Sequence, residues 1–318
     1  MMDGRTKNIL LFFWNCFWNI SYCIMDGFML ICDHVVRLCI KKPVIASIEE
    51  TISFINEHHC SVARYGDGEI KLCNNIDLDF QTADSKLCST LRMVLANDID
   101  GLIVCVPGIF GSLDCYMKHD RNHWTKHLSY YRLIWYKYMN RSSKYGEAFI
   151  SRFYMPYKDK SVAARSVKLW KQVWNNRDLL IVEGEKSRLG VGNDLFDNAR
   201  TIKRILAPNK DAYSYYSRLF SETLKYDTTH LVLLALGPTA TVLASDLCKH
   251  GYQAIDIGHI DIEYEWMLMG AEYKVPVMNK FVNEAGGGIG VGEFDDERYL
   301  SEIVCRVVNY GRNCFNAE

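Results

Sequence analysis

Short runs of aliphatic residues recur along this chain at Ser61 to Tyr65, Leu102 to Val106, Leu179 to Val182, Ile202 to Leu206, Leu231 to Leu236 and Ala254 to Ile257. Most are apolar almost throughout rather than alternating, so both faces of the strands they form must be covered. Stretches with helical spacing separate most of them. That alternation predicts an α/β fold, a Rossmann-like doubly wound and mostly parallel sheet with helices on both sides. Such sheets bind ligands beyond the carboxyl ends of their strands, so the loops after these runs are where chemistry is expected. The chain's 318 residues, 49% of them hydrophobic, can bury one large core or two small ones. A boundary falls at Pro43. Ser47 with Glu50 three residues on reads as a capping box opening a helix to about His58, which assigns residues 43–318 to the main domain and 1–42 to a separate segment.

Charge narrows the ligand. Lysine and arginine number 37 against 38 acids, a net charge of -1, which excludes the basic footprint of a nucleic-acid binder and suits a small anion held by local charges. The 12 cysteines form no C-x-x-C pair and no zinc spacing, so they read as reduced thiols of a cytoplasmic protein.

Residues 9–40 are rich in Leu, Phe, Trp, Ile and Met. A membrane span fits poorly, because Asn15 and Asn19 interrupt the apolar run and Asp26 and Asp33 would lie at membrane depth. On a helix, Asn8, Asn15, Asn19, Tyr22, Asp26, Asp33 and Arg37 fall along one narrow polar stripe, and the rest is apolar. So wide an apolar surface needs cover, from the inner face of the cell membrane, from a second copy of the chain or from its own domain. The stripe lacks the Lys/Arg enrichment that favours anionic lipid, which points to a homo-oligomer ahead of peripheral membrane contact. The segment Tyr116 to Tyr157 is dense in aromatics, which are expected mainly in the core, with one or two reaching substrate.

Four loops carry candidate chemistry. Arg64-Tyr65-Gly66-Asp67-Gly68-Glu69 sets one cation and two carboxylates around two glycines that permit close backbone approach. Lys186, Arg188, Gly190 and Asn193 follow the Leu179 run, and cations among glycines suit a diphosphate. Gly237 and Thr239 flank Pro238 at the start of a helix whose free N–H groups attract anions. Asp261 and Glu263, after the Ala254 run, lie on one side of an extended or turning backbone and can share a divalent Mn2+ or Mg2+, although in a regular helix they would diverge.

The segments R-Y-G-D-G-E at 64–69, S-R-F-Y-M at 151–155, E-K-S-R-L-G-V-G-N-D-L-F at 185–196, L-G-P-T-A at 236–240 and D-I-G-H-I-D-I-E-Y-E-W at 256–266 together resemble the GT-D-type glycosyltransferases, over residues 45–312. The resemblance implies a Rossmann-like bacterial enzyme with Asp261 and Glu263 as its metal pair, and with Arg64, Arg188 and Asn193 around the nucleotide and diphosphate of a UDP-sugar. It also implies transfer of a hexose such as glucose to a glycan or glycoprotein acceptor in surface polysaccharide or protein glycosylation. Asp67 or Glu69 would serve as base, with His259 as the next candidate. A nucleotide-sugar-binding scaffold without catalysis is the competing expectation. An NAD-type enzyme is disfavoured, because no G-x-G-x-x-G follows the first strand. The Gly286 to Gly292 run reads equally as a loop closing over donor or as a connector.

Overall fold

The computed structural model describes residues 24–96, 99–282, 284–286, 291–293 and 295–307. The Asn8 to Tyr22 part of the polar stripe and Gly287 to Gly290 lie outside them. A helix over residues 24–39 (α1) comes first. It is followed by β1 (Val44–Ile45), α2 (Ile48–His58), β2 (Ser61–Arg64), α3 (Asp67–Cys73), α4 (Ser85–Leu95), β3 (Leu102–Val106), α5 (Lys118–Tyr138) and β4 (Lys144–Glu147). The second half runs α6 (Ser161–Val173), β5 (Asp178–Gly184), β6 (Thr201–Ala207), α7 (Tyr216–Thr223), β7 (Leu231–Ala235), α8 (Pro238–Lys249), β8 (Ala254–Asp256), α9 (Ile260–Leu268), α10 (Glu297–Glu302) and β9 (Ile303–Arg306). No helix among the described residues is long and apolar enough to cross a membrane.

The strands form one sheet in the order β1-β4-β3-β2-β8-β7-β5-β6-β9, and every pairing is parallel. The expected doubly wound sheet is therefore present. The six expected runs are β2, β3, β5, β6, β7 and β8, within two residues at each end. The two-residue β1, β4 and β9 were not expected: Lys144-Tyr145-Gly146-Glu147 carries one large apolar side chain in four, and Ile303 to Arg306, though apolar in three of four residues, is short and follows α10 without a break.

Alternate residues of β5 explain why its run is continuous. Leu179 and Ile181 enter one core with Trp170 and Trp174, whereas Leu180 and Val182 enter another with Leu219 of α7 and Leu243 of α8. Both faces are dry. The buried Arg204 of β6 reaches Glu183 of β5 and Glu302 of α10, each at 2.7 Å, and so ties that edge together. The Ser47 capping box forms as read, with Ser47 Oγ accepting from Glu50 N and Glu50 Oε2 accepting from Ser47 N at 2.8 Å.

From β2 the chain winds outward through β3 to β4, then crosses to β5 and returns through β7 to β8 beside β2. The loops leaving β2 and β8 therefore diverge at the centre of the sheet, and a crevice opens between them.

Candidate active site

The crevice is a cleft of about 670 Å³ above the carboxyl ends of β2, β8 and β7. Arg64 forms its floor. Nε donates to Asp256 O at 2.8 Å, Nη2 to Asp256 Oδ1 at 2.9 Å and Nη1 to Ala148 O at 3.2 Å, which fastens β2 to β8 and to the turn after β4. A guanidinium with all three nitrogens engaged is a strut, so Arg64 positions the site. Gly258 is required there: its φ is +42°, and a Cβ would lie 1.9 Å from Arg64 Nη2.

Asp67 opens α3 and lines the cleft. His123 Nε2 lies 3.6 Å and Lys71 Nζ 3.5 Å from its Oδ2. Burial pushes the Asp67 carboxyl up, but His123, Lys71, His127 and Arg152 outweigh it and hold the group below the usual carboxylate range. It is ionised at neutral pH. Glu69 differs: its Oε2 accepts from Gly66 N at 2.7 Å, closing the turn, and burial raises its carboxyl to about 7. Glu69, expected as an alternative base, also lines the cleft and caps α3 with this one oxygen. Gly66 and Gly68 line the wall, where side chains would narrow it.

His259 faces the cleft, but desolvation and then Arg152 depress its imidazole to about 3. It stays neutral at working pH and offers the cleft a hydrogen-bonding imidazole.

The predicted diphosphate cations are elsewhere. Lys186 Nζ donates to Val291 O at 3.0 Å, and Arg188 donates to Asn279 O at 2.6 Å and Gly292 O at 2.7 Å. Neither lines the cleft. They hold Asn279, Val291 and Gly292 against the domain through their carbonyls. Gly190 N and Asn193 Nδ2 both donate to Asp261 Oδ1, at 2.9 and 2.8 Å, and so buttress α9. From this loop Gly184, Ser187 and Leu189 reach the cleft instead. Gly237 lines the cleft at the start of α8, but Thr239 is fully buried with its hydroxyl on Gln81 Oε1 at 3.3 Å.

The Asp261–Glu263 metal pair is not assembled. Both residues lie in the first turn of α9, where side chains two apart diverge. Asp261 meets Glu265, one helical turn on, about a single cation: Lys280 Nζ donates to Asp261 Oδ2 at 2.7 Å and to Glu265 Oε1 at 2.9 Å. Glu263 turns the other way, and its Oε2 accepts from Tyr154 N at 2.9 Å and Met155 N at 2.8 Å. Asp261 lines the cleft and Glu263 does not. No group of three or more His, Cys, Asp or Glu suited to a metal ion occurs among the described residues. The two carboxylates therefore do not fit an ion shared between them.

Sequence reading left three groups without a role. Arg152, in the segment after β4, pairs with Glu284 at 2.7 Å, and Lys274 meets the same carboxylate at 2.9 Å. Two cations on one anion give this trio a formal charge of +1, in a cleft otherwise lined by more acidic than basic side chains. His123 stands beside Asp67. Trp124, Tyr131 and Phe149 put three aromatic faces on the wall where one or two were expected. The S-R-F-Y-M segment was the available signal for Arg152, and nothing local marks His123 among the nine histidines.

The model of the glycosyltransferase GT-D fold matches residues 62–285, which includes every strand around the cleft. The chain belongs to the GT-D glycosyltransferase family. The GT-D chain is 41% identical over 280 residues to glycosyltransferase GlyD of Streptococcus pneumoniae, covering 86% of this chain and 34% of that protein. It is 40% identical over 264 residues to a probable glycosyl transferase, Gly, of Streptococcus gordonii, covering 83% and 39%. It thus spans little more than a third of the length of these relatives. A solved glycosyltransferase (DUF1792) from Streptococcus sanguinis superposes with a TM-score of 0.80 at 38% identity, covering 84% of this chain and 100% of that one. A structure described as a highly conserved domain with a distinct glycosyltransferase fold gives 0.83 at 39% identity, with 86% and 99% covered.

Proposed function

We propose that the cleft transfers a hexose from a nucleoside-diphosphate sugar, UDP-glucose or a similar donor, to a hydroxyl of a glycan or glycoprotein acceptor during surface polysaccharide or protein glycosylation. The observation that carries this reading is an ionised carboxylate, Asp67, sharing one cleft with the net positive Arg152–Glu284–Lys274 group. The volume of about 670 Å³ is that of a small-molecule site and accommodates a nucleotide sugar. Relatives that match more than four-fifths of the chain and are named glycosyltransferases support the same reaction class.

As the acceptor oxygen bonds to the anomeric carbon, its proton passes to the Asp67 carboxylate. The bond from that carbon to the diphosphate oxygen breaks, and its electron pair leaves on the nucleoside diphosphate. Arg152 and Lys274 oppose the charge that develops there, and water excluded from the cleft strengthens their effect. Neutral His259 holds a donor or acceptor hydroxyl, and Trp124, Tyr131 and Phe149 offer ring faces to sugar or base.

The test is release of nucleoside diphosphate by the purified chain from a panel of UDP-, GDP- and dTDP-sugars, with and without glycan acceptors. Turnover with at least one donor is expected, and Asp67→Asn should lower it by about 10²–10⁴-fold with little change in donor KM. No release from any donor would refute the enzyme and leave the nucleotide-sugar-binding scaffold.

A further inference from the structure

Each lysine and arginine that lines the cleft among the described residues already holds a carboxylate. Arg64 is on Asp256 and Lys71 on Asp67, one for one, whereas Arg152 and Lys274 share Glu284 at 2.7 and 2.9 Å. Further acids face the same space, among them Glu69, Asp77, Asp79 and Asp120. A diphosphate entering this cleft must therefore take its cations from a carboxylate that holds them.

The three pairings differ in what they can release. Arg64 and Asp256 are 13% and 5% exposed, and the guanidinium is tied to two backbone carbonyls as well, so parting them would dismantle the floor. Asp67 borders Lys71 on its own helix, and its departure would free one cation. Glu284 holds one cation on each oxygen: Arg152 Nη2 on Oε1 and Lys274 Nζ on Oε2. Its side chain is 27% exposed and stands in a turn, outside any helix or strand, that Ala285 N closes on Val282 O at 3.2 Å. Lys280, four residues earlier, is fixed on Asp261 and Glu265, so a swing of the Glu284 side chain leaves that anchor in place. Burial pushes the Glu284 carboxyl up, but Arg152 outweighs it and holds the group well below the usual carboxylate range, ionised at neutral pH. Two cations bridged by two oxygens of one anion is also how a protein grips a phosphate.

We propose that Glu284 is an internal anion standing where a phosphate of the donor binds, and that a nucleoside diphosphate displaces its carboxylate from Arg152 and Lys274. This rests on the reading of the cleft as a nucleotide-sugar site. The exchange presents two cations to the diphosphate in place of one carboxylate, and the cost of uncovering them sets the donor's affinity. A tethered carboxylate competes at high effective concentration, so an unphosphorylated sugar, which has no anion to put in its place, leaves the cations covered.

The test is calorimetric titration of the full chain with UDP, and with inorganic pyrophosphate as a probe that lacks base and sugar. Glu284→Gln keeps the side chain's length and raises the formal charge of the trio from +1 to +2, so both probes should bind about tenfold tighter than to wild type. Glu284→Ala opens the position to a free carboxylate, and acetate at constant ionic strength should compete with UDP for this variant but not for wild type. Circular dichroism marks the variants as folded, and wild type supplies a readout of its own: saturating UDP should raise hydrogen exchange at the Ala285 amide, whose turn loses its side-chain tether. Binding that is unchanged or weaker in Glu284→Gln, acetate competition equal in wild type and Glu284→Ala, or an Ala285 amide better protected with UDP each overturns the proposal and leaves the transferase reading standing. Tighter binding to Glu284→Gln by a chain that turns over no donor upholds the proposal and sinks the transfer reaction. A wild type and variants that bind neither UDP nor pyrophosphate overturn both.

Discussion

Glu263→Gln separates a structural carboxylate from a metal ligand. The Glu263 side chain is fully buried, and its environment raises the carboxyl from 4.5 to about 7, chiefly by desolvation, with Arg152 and the Met155 and Tyr154 amides opposing. The folded chain therefore holds a proton that the unfolded chain releases between pH 4.5 and about 7. Over that window stability falls as pH rises, by about 1.4 kcal/mol per unit, because the native state binds more protons. The contribution is fully present below pH 4.5 and lost above about 7, a total of about 3 kcal/mol. Glutamine keeps one oxygen for the Tyr154 and Met155 amides but cannot ionise, so it removes this dependence. Urea unfolding of wild type and Glu263→Gln at pH 5 and pH 8.5 should show the difference between them moving by about 3 kcal/mol in favour of glutamine at the higher pH. Parallel pH profiles would mean that Glu263 exchanges no proton on folding, and the account of it as a buried loop staple would fail.

Three further outcomes follow from particular contacts. Arg152→Ala leaves Glu284 facing the cleft with Lys274 alone, so donor KM should rise and kcat fall together in initial-rate assays, by about tenfold or more in kcat/KM. Lys280→Met strands Asp261 and Glu265 without their shared cation, and urea titration should register a loss of about 3–5 kcal/mol, whereas chelator should leave the wild-type Tm unchanged because that cation is a side chain. Gly258→Ala drives a methyl group into Arg64 at a positive φ, and a drop in stability of about 1–3 kcal/mol should accompany loss of donor turnover in the same preparation.

Candidate residues were legible only by type. Glu69, Glu147, Glu183 and Glu263 all stand near strand ends or cleft loops, and each accepts at least one backbone amide: Gly66 for Glu69, Gly108 and Phe149 for Glu147, Leu189 for Glu183, Tyr154 and Met155 for Glu263. A chain that leaves a sheet in tight loops exposes N–H groups that need acceptors, and buried carboxylates supply them. In sequence such a glutamate looks the same as a base or a metal ligand. Asp67 differs because its neighbours His123 and Lys71 come from α5 and from the next turn of α3, and the first of these is 56 residues away. Lys186 and Arg188 show the same ambiguity in the cations, since their partners are backbone carbonyls roughly a hundred residues on.

The sequence by itself determined the parallel sheet, the Ser47 cap, the order of the strand-end loops and the family, because each depends on residues near in the chain or on apolar runs that must be buried on both faces. Tertiary structure alone decided which charged side chains meet. It turned Asp261 toward Glu265 and Lys280, sent Glu263 to the amides of the segment after β4, brought Arg152 and His123 to the cleft and set Asp26 and Asp33 of α1 against Lys126 and Arg132 of α5. The physical reason is that helical pitch and crossover connections fix where a side chain points, and an ionised group takes whichever partner that direction offers once water is gone.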